Sequence, residues 1–145
     1  MPLLKFYTVT NQLTPEEKAD LAQVLTARYA QIMPDFFVNI MFHELPAHDF
    51  YISERPNPGN FIRLTLEHIA VNWDEKNTQE LERANKFLDF VGEVLGDRFE
   101  GRGWMYEYSI LQTSRELWRV QGLTPPAIGS EDMKVWEKAG RGVKL

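Results

Sequence analysis

There is no cysteine in the 145 residues of this chain. That absence excludes a disulfide scaffold, a thiolate nucleophile and any cysteine-based zinc site. Histidine is scarce as well, with only His43, His48 and His68. Alternation along a strand sends His43 and the adjacent Glu44 to opposite faces, so these two cannot chelate one ion, and no metal is expected. Positive charge is not in excess either. The formal net charge of −5 leaves no global basic surface to attract nucleic acid. No apolar run approaches the length of a membrane span, and the first residues lack the charged-then-apolar build of a signal peptide. Gly96, Gly101 and Gly103 have the spacing of a turn, without the fingerprint of a phosphate loop. The expectation is a cytoplasmic protein without nucleic acid or membrane partners. Hydrophobic residues at 43% and charged residues at 26% suit a single domain, 1–145, with a real core.

What is present falls into two similar halves. Leu3 to Thr10 is short, β-branched and aromatic, and reads as a strand. Thr14-Pro15-Glu16-Glu17 then announces a helix, with Thr14 as N-cap, Pro15 at the first helical position and Glu17 completing a capping box. This helix is expected to run to about Gln31, with Leu21, Val24, Leu25, Arg28 and Ile32 as its buried stripe and Tyr29 beside it. Phe36 to Leu45 reads as a second strand, apolar at nearly every position. Phe61 to Val71 reads as a third, with Ile62, Leu64, Leu66 and His68 on one side. A second long helix is expected over Gln79 to Leu95, followed by a Gly-rich turn over 96–103. Trp104 to Leu111 closes the pattern as a fourth strand, with Trp104, Tyr106, Tyr108 and Ile110 on one face.

The order is strand, helix, strand, twice over. It implies an α+β fold of two consecutive β-α-β units, spanning 2–45 and 61–112, with a C-terminal extension over 113–145. Each crossover helix makes its two strands parallel, and the crossover is expected to be right-handed. Two long helices on one face of a four-stranded mixed sheet leave the other face bare. That face is expected to be apolar and to drive oligomerisation. Trp118 and Trp136 in the extension are expected to cover the sheet edge or line a pocket.

One residue stands out chemically. If Met1 is removed, Pro2 carries a free secondary amine, a group no other residue type offers. An α-amino nitrogen titrates at roughly 7.7–8.0, and burial or a neighbouring cation lowers that. Such a nitrogen can exchange a proton at neutral pH or attack a carbonyl. With Met1 in place it is an amide and does neither.

Pro2 followed by a strand, Leu13-Thr14-Pro15 opening the first helix, a strand ending near Phe42-His43-Glu44 and an aromatic fourth strand resemble the tautomerase superfamily. The nearer resemblance, over about Pro2 to Trp118, is to its double-length branch typified by cis-3-chloroacrylic acid dehalogenase. It implies a homotrimer, a catalytic amino-terminal proline, no cofactor and a small keto or unsaturated carboxylic acid as substrate. Carried over residue by residue, the catalytic group would be Pro2, Tyr106 and Glu116. The branch's first-helix histidine falls on Tyr29, and its two arginines after the third strand fall on His68 and Val71. Those two departures remove the carboxylate-binding pair. Arg63, Arg115 or Arg119 could supply a replacement cation, so Tyr29, His68, Arg63 and Arg115 are the candidates for substrate binding.

Each candidate has a simpler role beside the chemical one. Pro2 could be a rigid strand start, Tyr29 and Tyr106 packing residues, His68 a hydrogen-bonded core histidine and Glu116 a solvated helix residue. The favoured expectation is an isomerase of tautomerase type, or a cofactor-free hydratase or dehalogenase. The alternatives are a non-catalytic oligomer or ligand-binding protein on the same scaffold, and an enzyme whose substrate lacks a carboxylate.

Overall fold

A computed structural model describes residues 1–145. Strand β1 (Leu3–Val9) lies at the middle of a four-stranded sheet. It pairs in parallel with β2 (Asn39–Leu45) on one side and antiparallel with β5 (Phe61–His68) on the other. Strand β6 (Met105–Gln112) pairs in parallel with β5, so the spatial order is β2-β1-β5-β6. A two-stranded ribbon of β3 (Tyr51–Ile52) and β4 (Arg55–Pro56) sits apart in the connection between the halves. Both βαβ units are present, and the expected α+β class holds.

Helix α1 (Pro15–Tyr29) begins at the capping box read from the sequence. Thr14 Oγ1 accepts from the Glu17 N–H at 3.2 Å, and the Thr14 N–H donates to the Glu17 carboxylate at 2.8 Å. The buried face of α1 is Leu21, Leu25 and Tyr29. Tyr29 thus belongs to the stripe itself, while Ile32 lies beyond the helix end and is exposed. Helix α2 (Thr78–Phe99) packs on the same face of the sheet and buries Phe87, Val91, Val94, Leu95 and Phe99. Arg98 ties it to Asp20 of α1 at 2.6 Å.

Three boundaries differ from expectation, each for a tertiary reason. The second strand starts at Asn39 because Asp35–Phe37 forms a 3-10 turn after Pro34. That turn drives Phe37 fully into the core, against Trp118 at 5.2 Å between ring centroids. The third strand ends at His68, whose carbonyl accepts from the Thr113 N–H at 2.8 Å. Helix α2 does not stop at Leu95 but continues through Gly92 and Gly96 to Phe99. A Cβ at Gly92 would stand 2.6 Å from the Tyr108 hydroxyl, and one at Gly96 would stand 3.1 Å from that of Tyr106. The glycines therefore let the helix lie down on the two tyrosines of β6. The turn proper begins at Glu100 and ends at Gly103, in the left-handed region with φ 69°.

Alternation in β1 and β5 puts Leu4, Phe6, Ile62, Leu64 and Leu66 under the helices, all with no exposure. The opposite face has no helix on it, as expected, but it is not an apolar one. Lys5 pairs with Glu67 at 2.5 Å and Arg63 with Glu107 at 2.9 Å across that face, beside half-buried Leu3 and Tyr7 and exposed Met41, Met105 and Leu111. The extension folds back as α3 (Glu131–Ala139), and Trp118, Met133 and Trp136 join the main core. Both tryptophans are therefore core residues. No helix is long and apolar enough to cross a membrane.

Leu66 has no exposure, so Leu66→Ala should cost about 2–5 kcal/mol in urea unfolding. Thr14→Ala removes one capping contact at the surface and should cost about 1 kcal/mol.

Candidate active site

The pairing Leu3↔Glu67 carries Pro2 to a position beside His68. Asn39 fixes Pro2 from the other side, its N–H donating to the Pro2 carbonyl at 3.0 Å. Proline lacks an N–H, so it enters the sheet here without orphaning a donor. Pro2 is buried. Met1 precedes it, and the Met1 amine is itself partly buried. Burial, aided by the charge of Arg115, lowers that amine to about 5.

His68 is 2% exposed. Its Nε2 lies 2.6 Å from the Tyr29 hydroxyl, at the last turn of α1. Its ring packs against Trp73 and Phe87 at 5.1 and 5.5 Å, and its Nδ1 is buried without a partner. Burial first, then the nearby amino terminus, lowers its pKa to about 4. Burial also raises the Tyr29 hydroxyl far above its ordinary value, against the opposing charge of Arg28. Both groups are therefore neutral at pH 7. When Tyr29 donates to Nε2, the neutral imidazole carries its proton on Nδ1 and has an unused donor there; in the other tautomer Nδ1 is an unused acceptor.

Pro2, Tyr29, Met33, His68 and segment 69–71 line a narrow space of about 130 Å³ including its mouth, with no room for a water molecule. Tyr29 and Val71 also form part of a second, open pocket of about 570 Å³ including its mouth. The rest of its lining is Arg28, Ile32, Trp73, Arg83 and Phe87.

The other candidates lie elsewhere. Arg115 stands near the Met1 amine, but its guanidinium donates to the carbonyls of Pro125 and Pro126 and stacks 5.4 Å over Trp118. Glu116 is exposed; its carbonyl, not its carboxylate, binds Arg119. Arg63 points to the opposite face of the sheet and is held by Glu107 and by Ser109 at 2.7 Å, which removes it from the site. Tyr106 pairs with Ile62, six positions before His68, or about 20 Å away at a rise of about 3.3 Å per residue. Its hydroxyl donates to Glu100 at 2.6 Å, and that bond, with smaller help from burial, raises its pKa to about 12. Within one chain, Pro2, Tyr29 and His68 come together, Arg115 stands nearby, and Tyr106 and Arg63 stay away.

Sequence reasoning missed Arg83, Trp73 and Phe87, and it placed Arg28 only as a stripe residue. The available signal was spacing: Arg28 on α1 and Ile32 just past its end, and Arg83 and Phe87 on α2, are each four apart. No group of three histidine, aspartate or glutamate side chains gathers in a way that could hold a metal ion.

A family model described as a putative oxalocrotonate tautomerase enzyme matches residues 1–141. A probable enzyme from the thermophilic fungus Aspergillus fumigatus is 36% identical, with a TM-score of 0.89 over 100% of this chain and 98% of that one. RhCC from Rhodococcus jostii RHA1 is 30% identical, with a TM-score of 0.85 over 99% of both chains. N1, a member of the cis-3-chloroacrylic acid dehalogenase family, shares the fold at 17% identity, with a TM-score of 0.70 over 92% of this chain and 89% of that one. No curated protein matches.

The depressed pKa of His68 has a measurable consequence. Between about pH 4 and 6.5 the unfolded histidine holds a proton that the folded one does not. Its contribution to stability is complete above pH 6.5 and is lost as pH falls toward 4. The Met1 amine adds a loss of the same sign between pH 8 and 5. Urea titrations across this range should show His68→Gln with a shallower slope between pH 4 and 6.5; an unchanged slope would assign the loss to other groups.

Proposed function

The chain belongs to the family of putative oxalocrotonate tautomerase enzymes, and we propose that it is an isomerase whose base is the amine of Pro2, freed by removal of Met1. The observation that carries this reading is the burial of Pro2 beside a neutral Tyr29–His68 pair in a narrow, mostly apolar space. An amine in such a setting is held neutral. One residue further out, burial already brings the Met1 amine to about 5. A neutral amine at pH 7 takes protons, which suits a keto–enol shift. In a hydratase or dehalogenase variant the amine would have to be protonated at the same pH, and this environment opposes that.

The substrate is a small acid with a carbonyl next to a C–H. The Pro2 nitrogen removes the proton from carbon, the C–H electrons form a C=C bond, and the oxygen gains negative charge. The free Nδ1–H of His68 is the donor for that oxygen, fixed in a dry site where such a bond is strong. The proton then passes from the Pro2 ammonium to the oxygen, which regenerates the amine. Tyr29 keeps the imidazole in the tautomer this requires. Tyr106, if it acts, acts at the site of a neighbouring copy, which is consistent with a homotrimer.

A second reading has its own observation. The space beside Pro2 has no room even for water, and Pro2 preceded by Met1 has an amide nitrogen. An unprocessed chain would be a non-catalytic or ligand-binding protein on this scaffold.

Intact mass of the natural protein should show loss of Met1. Phenylpyruvate tautomerisation, followed by absorbance, should then fall about 10²–10⁴-fold in Pro2→Ala. A processed protein whose rate is at background, or unaffected by the substitution, would leave the binding reading ahead. Sedimentation should give a trimer, and a monomer at micromolar concentration would contradict the shared-site arrangement.

A further inference from the structure

Resting on Pro2 as the reacting group, we infer that Arg28 and Arg83 hold the substrate's carboxylate, and that the substrate is a carboxylic acid with an aryl or extended apolar body. The positions that follow the third strand carry no cation here. His68 is buried among aromatic rings, and Val71 is apolar. Arg115 spends its guanidinium on the carbonyls of Pro125 and Pro126. Arg63 is on the other face of the sheet. A carboxylate approaching Pro2 must find its charge partner elsewhere.

The open pocket behind Tyr29 supplies one. It shares the Tyr29 and Val71 side chains with the space beside Pro2, so the two adjoin across those residues. Arg28 on α1 and Arg83 on α2 both line it. Neither lies within ion-pair distance of a carboxylate, which is true also of Arg55, Arg115, Arg119 and Arg141 but not of Arg63, Arg98 and Arg102; of the unpaired ones, only Arg28 and Arg83 line this pocket. Arg28 is also pre-positioned. Its guanidinium stacks 5.6 Å from the Phe90 ring and 6.0 Å from that of Phe87, and it donates to Gln31 at 2.8 Å. Two arginines without carboxylate partners on one pocket match a carboxylate in charge, and a guanidinium can bind one in bidentate fashion. The remaining wall is Ile32, Trp73 and Phe87, which favours an aromatic or long aliphatic body over a two- or three-carbon acid.

The test reads binding, not turnover, so its result stands apart from whether Pro2 catalyses. Calorimetry would compare 3-phenylpropionate with its uncharged analogue 3-phenylpropionamide. The carboxylate should bind at least tenfold more tightly than the amide to the unsubstituted chain. Arg28→Gln with Arg83→Gln keeps much of both apolar stems; in this double variant the carboxylate should lose about 30-fold or more in affinity while the amide is unchanged. Trp73→Ala should weaken both probes. Unfolding of a variant is detected by circular dichroism, and in that event the single Arg83→Gln substitution on the exposed side is read, with an expected loss of about fivefold for the carboxylate alone. Equal binding of the two probes, an unchanged carboxylate affinity in a folded arginine variant, or no binding of either probe would overturn the assignment.

Discussion

Everything at the site depends on β1 being hydrogen-bonded on both of its edges. A chain terminus usually frays into water, because nothing repays the entropy of ordering it. Here seven residues of β1 pair with β2 and five pair with β5. The two ladders hold the first residues in the middle of the sheet, and the register of the antiparallel one sets Pro2 beside His68. A terminal nitrogen in such a place is screened from solvent without needing a dedicated lid.

That placement sets the electrostatics. The Met1 amine, His68 and Tyr29 are each pushed toward their neutral forms by burial. A dry cluster of neutral donors and acceptors has small internal repulsion, and it can stabilise a charge that appears only during reaction. A chain with excess negative charge would otherwise repel an acid. Arg28 and Arg83, neither of them paired with a carboxylate, are the cations that line the pocket adjoining this cluster.

The two ends of the sheet have different work. At one end, Pro2 and His68 meet the last turn of α1. At the other, Gly92 and Gly96 bring α2 close onto Tyr108 and Tyr106, and Glu100 occupies the Tyr106 hydroxyl. The face without helices lies between them, crossed by the Lys5–Glu67 and Arg63–Glu107 pairs. Paired charges over a half-apolar sheet specify how another copy could sit more sharply than an apolar surface does, since a shifted copy would leave ions desolvated.

Local signals were legible in the amino-acid order alone. The capping box at Thr14, the alternation Ile62-Leu64-Leu66-His68 and the two βαβ units are short-range patterns, and they appear as read. Pro2 was legible as a candidate, because its chemistry belongs to the residue. The end of α2 was not legible: glycine reads locally as a turn, and only Tyr106 and Tyr108 on β6 explain why it is helix. The same holds for the site. That Arg63 faces away, that Tyr106 lies a strand's length from Pro2, and that Arg28 and Arg83 line one pocket are all consequences of register and helix docking. Those are contacts between residues far apart in the chain, and their geometry exists only once the sheet has closed around β1.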